Sequence, residues 1–129
     1  MTTPLPESLV QISLRNNSLS GFLTSETFKG LNFLQVLDLS YNIFSGSVPI
    51  ALFHLPSLQQ LKLSFNQLSS IESSTSSLFI NPQSEMIAVD LSNNWIQGIL
   101  PSFLGLMPKL SSLSLENNKF SLGEIKQKN

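Results

Sequence analysis

One spacing returns five times along this chain of 129 residues: leucine, two residues, leucine, one residue, leucine, two residues, asparagine. The copies are Leu9-Ile12-Leu14-Asn17, Leu34-Leu37-Leu39-Asn42, Leu58-Leu61-Leu63-Asn66, Met86-Val89-Leu91-Asn94 and Leu110-Leu113-Leu115-Asn118. The asparagines stand 25, 24, 28 and 24 residues apart (17 to 42, 42 to 66, 66 to 94, 94 to 118). A unit this short cannot bury its own apolar face. It must stack on copies of itself, so the period dictates a solenoid whose core is built between neighbouring turns.

Within a copy, apolar and polar residues alternate, the mark of a strand with one buried face. Leu37 and Leu39 are expected to point inward, and Val36, Asp38 and Ser40 outward. Stacked, such strands form a parallel sheet. Parallel neighbours need a crossover of about a dozen residues, which the rest of each copy supplies, with Leu52 and Leu55, or Leu104 and Met107, as inward anchors. Where the chain bends off the strand its backbone groups lose sheet partners. An inward asparagine offers both donors and an acceptor there, so Asn17, Asn42, Asn66, Asn94 and Asn118 read as a buried structural ladder. Gly21, Gly46 and Gly98 follow each bend and read as backbone geometry. Residues 1–129 form a single array without separate caps. Its irregular part is the serine-rich stretch 69–77, a polar loop after which Leu78, Phe79 and Ile80 are available to re-enter the core.

The polar residues exclude several functions. Charged side chains are 12% of the chain and the net charge is −1, so there is no positive field for nucleic acid. The most apolar stretch, 96–107, is short and broken by Gly98, Pro101 and Gly105, so no segment is expected to insert into a membrane. No phosphate-cradling glycine motif is present. With cysteine absent and His54 the one histidine, no metal site is expected and His54 reads as an exposed structural residue. Asp38 and Asp90 share one outward column two copies apart, about 9–10 Å at the usual strand spacing of about 4.8 Å, which is near the carboxylate separation of an inverting glycosidase. Lys62 stands between them, however, and an acid–base–acid row reads as a cross-strand charge ladder on a solvated face. No catalytic residue and no cofactor are expected. Tyr41 and Phe65 each stand just before the asparagine in adjacent copies, and neighbouring exposed aromatics suit an interface anchor. Asp38, Tyr41, Lys62, Phe65, Asp90 and Asn93 make up the expected partner surface, with Trp95 a weaker member. Asn16-Asn17-Ser18 is a glycosylation sequon that places a glycan on Asn16 if the chain is secreted.

The extended copy, Leu34 to Pro49 with its Phe44-Ser45-Gly46-Ser47-Val48-Pro49 ending, resembles the plant-type leucine-rich repeat. Phrases such as Leu37-Asp38-Leu39-Ser40-Tyr41-Asn42, Leu91-Ser92-Asn93-Asn94 and Leu55-Pro56-Ser57-Leu58-Gln59 look like the ectodomains of plant receptor-like proteins and receptor kinases. The resemblance implies an α/β-type solenoid: a right-handed coil of about five repeats, a short-stranded parallel sheet on the concave face, and a convex side mostly irregular or 3-10. It also implies a non-enzymatic recognition module of signalling or defence that takes a peptide or protein ligand or a co-receptor, on the extracellular face of the plasma membrane when part of a full-length receptor. The sequence departs from that family in having no signal peptide, cap cysteines, membrane helix or kinase motif. Two alternatives follow: an extracellular enzyme inhibitor resembling polygalacturonase-inhibiting proteins, and, if the chain is complete, a cytoplasmic scaffold. Leu5-Pro6-Glu7-Ser8-Leu9 resembles the tail of a preceding repeat and Leu122-Gly123-Glu124-Ile125 a slipped Gly-x-Ile. An array cut at both ends is expected to be marginally stable and to self-associate through its open edges.

Overall fold

The computed structural model describes residues 5–72 and 83–121. Five three-residue strands, β1 (Gln11–Ser13), β3 (Val36–Asp38), β5 (Gln60–Lys62), β7 (Ala88–Asp90) and β9 (Ser112–Ser114), form one parallel sheet in that order. Register follows the repeat: Ile12 lies opposite Leu37, Leu37 opposite Leu61, Leu61 opposite Val89, and Val89 opposite Leu113. The middle residue of each inner strand is sealed, with Leu37 and Leu61 at 0% exposure and Val89 at 1%, whereas Leu113 in the last described turn is 37% exposed. Each turn thus buries its leucines only through the turn on either side. Among the described residues, the first turn leaves an apolar recess of about 290 Å³ beside Leu5, Leu9, Ile12 and Leu14.

A second layer of parallel pairing, absent from the expectation of one concave sheet, follows the bend. Strands β2 (Ser20–Phe22), β4 (Ile43–Val48) and β6 (Gln67–Ile71) form a three-stranded sheet, and β8 (Gln97–Ile99) pairs with β10 (Lys119–Ser121). This corrects the reading of 69–77 as loop from its first residue. Ser69 to Ile71 belong to β6: the Ser69 hydroxyl donates to the Gly46 carbonyl at 3.3 Å, and the Ser47 and Ser70 hydroxyls meet at 2.6 Å. Short serines serve the lateral sheet as polar cross-strand contacts, although the register slips between Gly46 and Ser47. Residues 73–77, together with Leu78, Phe79 and Ile80, lie outside the described residues. Gly46 itself has φ +82°, and a Cβ there would come within 2.8 Å of the Phe22 ring, so both backbone and neighbour require glycine.

The convex side carries a short helix α1 (Ser25–Phe28) and 3-10 turns at Ile50–His54 and Ser102–Leu106. Pro49 and Pro101 precede the two 3-10 turns with φ of −66° and −62°, a preset entry angle. The inward anchors hold: Leu52, Leu55, Leu104 and Met107 are all buried. Phe53 and Phe103 add an edge-to-face contact at 5.1 Å. His54 is half-buried at the end of its turn rather than exposed.

Inside the bend the asparagines knit the turns together. The Asn42 carboxamide oxygen accepts the N–H groups of Asn17 and Leu19 at 3.0 and 2.8 Å, while its NH2 donates to the carbonyls of Leu14, Leu39 and Ser40. Asn66 takes the Phe44 N–H and donates back to Leu39 in the previous turn, and Asn94 does the same with Leu68 and Leu63. Asn118, half-buried, takes the Ile96 N–H at 2.9 Å. Asn17 departs from the buried ladder: it is exposed, and its NH2 reaches only Leu14 and Arg15 of its own turn. Every buried side-chain nitrogen or oxygen among the described residues has a partner.

Candidate functional site

Where each concave strand ends, the chain must turn sharply before the ladder asparagine, and it does so by putting one residue into the left-handed region. That residue is Asn16, Tyr41, Phe65, Asn93 or Asn117, with φ between 58° and 63° in all five turns, and in the first turn Ser18 is left-handed as well, at φ 57°. The turn continues the ladder of backbone bonds, since the N–H of Tyr41 donates to Ser64, that of Phe65 to Ser92 and that of Asn93 to Glu116, at 2.9 to 3.1 Å. Asparagine enters this conformation readily. For a tyrosine or phenylalanine it costs about 1–2 kcal/mol, because Cβ crowds the following carbonyl oxygen. The two aromatics therefore sit in a strained backbone that the surrounding hydrogen bonds enforce.

The strain places both rings outward on the rim of the concave face. Tyr41 and Phe65 stack with centroids 4.3 Å apart and planes within 10°, and both remain exposed, at 40% and 43%. The Arg15 guanidinium, from the preceding turn, lies 4.6 Å from the Tyr41 ring centroid, so the tyrosine is held between a cation and a second ring. Arg15 escaped the sequence reading. Its signal was available: where the inner copies carry Ser40, Ser64 and Ser92, the first copy carries a long basic side chain one turn from the only tyrosine. Next along the row after Phe65 the chemistry changes, with the Asn117 NH2 donating to the Asn93 carboxamide oxygen at 2.9 Å.

The charged row behaves differently from the expected ladder. Asp38, Lys62 and Asp90 do face one another in register across three strands, yet among the described residues the one ion pair is Lys109–Glu85 on the surface, at 2.9 Å. The Asp38 carboxylate instead accepts both the backbone N–H and the hydroxyl of Ser40 at 3.0 and 2.6 Å, and Asp90 does the same for Ser92 at 3.0 and 2.7 Å. The same bonds explain a second departure. Ser40, expected to face out, is 1% exposed, and Ser64 and Ser92 are also buried, because strand alternation stops where the left-handed turn begins. Each aspartate is thus half-committed to the bend, and Lys62 is left exposed between the two. Trp95 belongs to neither row. It lies across the ladder from them, 58% exposed, with the Lys119 ammonium 5.2 Å from its ring. Among the described residues no three His, Cys, Asp or Glu side chains group to hold a metal. No described helix is long and apolar enough to cross a membrane.

Two family models, both described as leucine-rich repeats, match residues 7–68 and 86–107. Receptor-like protein 7 of Arabidopsis thaliana is 38% identical over 121 residues, covering 94% of this chain and 12% of that protein. Human oligodendrocyte-myelin glycoprotein is 38% identical over 117 residues, covering 91% of this chain and 24% of that protein. Equal identity to a plant and an animal protein fits a likeness carried by the repeat itself. Among solved structures, the Arabidopsis receptor kinase HAESA, in complex with the peptide hormone IDA and the co-receptor SERK1, matches with a TM-score of 0.75 and 36% identity over 92% of this chain and 20% of that one. The chain spans a small part of the length of each of these relatives.

Proposed function

The chain belongs to the leucine-rich-repeat family, and from that premise we propose that it is a recognition segment within the extracellular array of a plant cell-surface receptor-like protein, serving signalling or defence by binding rather than by catalysis. The observation that carries this reading is the Tyr41–Phe65 stack: two exposed aromatics on the concave rim, kept in a backbone conformation that disfavours them. A fold has no use for that strain, since Asn16, Asn93 and Asn117 complete the same turn without it. Stacked rings bring large rigid area at little entropic cost, the usual property of an interface anchor. Arg15, Lys62 and the half-exposed aspartates offer charges of both signs beside them, which suits a peptide or protein partner. HAESA was solved with a peptide hormone and a co-receptor, and we extend partners of that kind to this chain. The serine bonds of Asp38 and Asp90 support the non-catalytic reading, because one oxygen of each carboxylate is committed to the turn.

A photo-crosslinking amino acid in place of Phe65, in the full-length protein displayed on plant cells, tests this. A peptide or protein adduct should form at Phe65 and be absent when the same probe replaces Leu106, which is 60% exposed on the convex side. Equal adducts from both positions would remove the concave rim as the recognition surface.

A further inference from the structure

The row that contains the aromatics begins with Asn16, and Asn16 opens the one N-x-Ser/Thr sequon in the chain, Asn16-Asn17-Ser18. We propose that Asn16 carries an N-linked glycan, and that this glycan fences the N-terminal side of the Tyr41–Phe65 platform so that a ligand approaches the rings from the Asn93 side. The inference rests on the extracellular reading above, because such glycans are attached in the secretory pathway.

Three observations support it. Asn16 is exposed and its side-chain amide makes no hydrogen bond among the described residues, whereas the NH2 of Asn17 is spent on the carbonyls of Leu14 and Arg15. The residue the sequon selects is thus the one whose amide is free. Asn16 also has the left-handed backbone of Tyr41, φ 63° against 58°, and its N–H donates to the Ser40 carbonyl at 3.0 Å. Its side chain therefore leaves the turn as the tyrosine does, one strand spacing away, about 4.8 Å. A bulky, hydrated sugar at that point overhangs the Tyr41 side of the stack. Arg15 already covers that side of the ring, while beyond Phe65 the row continues as the low, hydrogen-bonded Asn93–Asn117 pair. The platform is closed at one end and open at the other.

Tyr41 is the only tyrosine in the chain, so its nitration reports the fence directly. The full-length protein is expressed in plant cells, fractionated and digested with trypsin, which releases residues 16–29 and 30–62 after Arg15, Lys29 and Lys62. Enzymatic deglycosylation of the secreted pool should convert Asn16 to aspartate in the first peptide. Two variants remove the sequon while keeping a residue that tolerates the left-handed backbone, Asn16→Asp and Ser18→Gly. In both, nitration of Tyr41 by tetranitromethane should run several-fold faster than in the glycosylated parent. A secreted protein with an unmodified 16–29 peptide overturns the glycan and leaves the extracellular reading standing. Recovery of the protein in the cytosol alone overturns both. A glycan with Tyr41 nitrated equally fast in all three proteins overturns the fence.

Discussion

Two columns of side chains run side by side through this molecule, one residue apart in sequence. The ladder column holds asparagine in all five turns. Its inner members Asn42, Asn66 and Asn94 are buried and satisfy backbone groups of two successive turns. The column just before it holds Asn16, Tyr41, Phe65, Asn93 and Asn117, faces solvent, and shares only a backbone conformation. The fold dictates residue type in the first and only a dihedral angle in the second. Repetition in the ladder column is therefore about stability. Departure from asparagine in its neighbour, at a cost in strain, is what the proposed recognition role accounts for.

The comparison breaks most easily at Asn66. Asn66→Leu strands the Phe44 N–H in the core and takes one donor each from the Leu39 and Leu63 carbonyls, which keep Asn42 and Asn94. With an unsatisfied buried group costing about 1–3 kcal/mol, a loss of that size in urea unfolding is expected. An unchanged midpoint would mean that the ladder is decoration and the contrast between the columns is empty.

The next effect belongs to the other column and is expected in binding. Replacing both Tyr41 and Phe65 by asparagine restores the residue that three other turns use. Relief of about 1–2 kcal/mol of backbone strain at each of two sites outweighs a stack worth about 0.5–1.5 kcal/mol, so the variant should unfold no earlier than the parent. Affinity for the partner captured at Phe65 should fall by about 2 kcal/mol, roughly 30-fold. A variant that unfolds early but binds normally would reverse the assignment of the two columns.

A smaller effect separates the ends of the ladder from its middle. Asn17→Leu removes hydrogen bonds to Leu14 and Arg15 that water can replace, because Asn17 is exposed. It should cost about 0.5–1 kcal/mol, well short of Asn66→Leu. The contrast also marks what sequence alone could convey. The period and the alternation name the repeat, the concave sheet, the inward leucines and the rim aromatics, because each of those follows from spacing. Spacing treats every copy alike, so it could not reveal that the Asn17 NH2 bonds only within its own turn among the described residues. Nor could it tell that Ser40 folds inward once its hydroxyl finds Asp38, or that Ser69 to Ile71 pair with β4. Those depend on which atoms meet. Arg15 was missed for the same reason: its importance comes from a ring one turn away.

The smallest expected effect is at Lys62, and it tests whether the concave charges belong to the fold or to the surface. Register sets Lys62 between Asp38 and Asp90, an arrangement that could have stabilised the sheet. The aspartates turn to Ser40 and Ser92 instead, and exposed ion pairs contribute little even when formed. Lys62→Ala should therefore shift unfolding by less than about 0.5 kcal/mol, while a partner reaching across the concave face should dissociate differently at low and high salt. A loss of stability above about 1 kcal/mol would show that the row is a cross-strand ladder after all, and would assign Lys62 to holding the turns together rather than to the proposed partner surface.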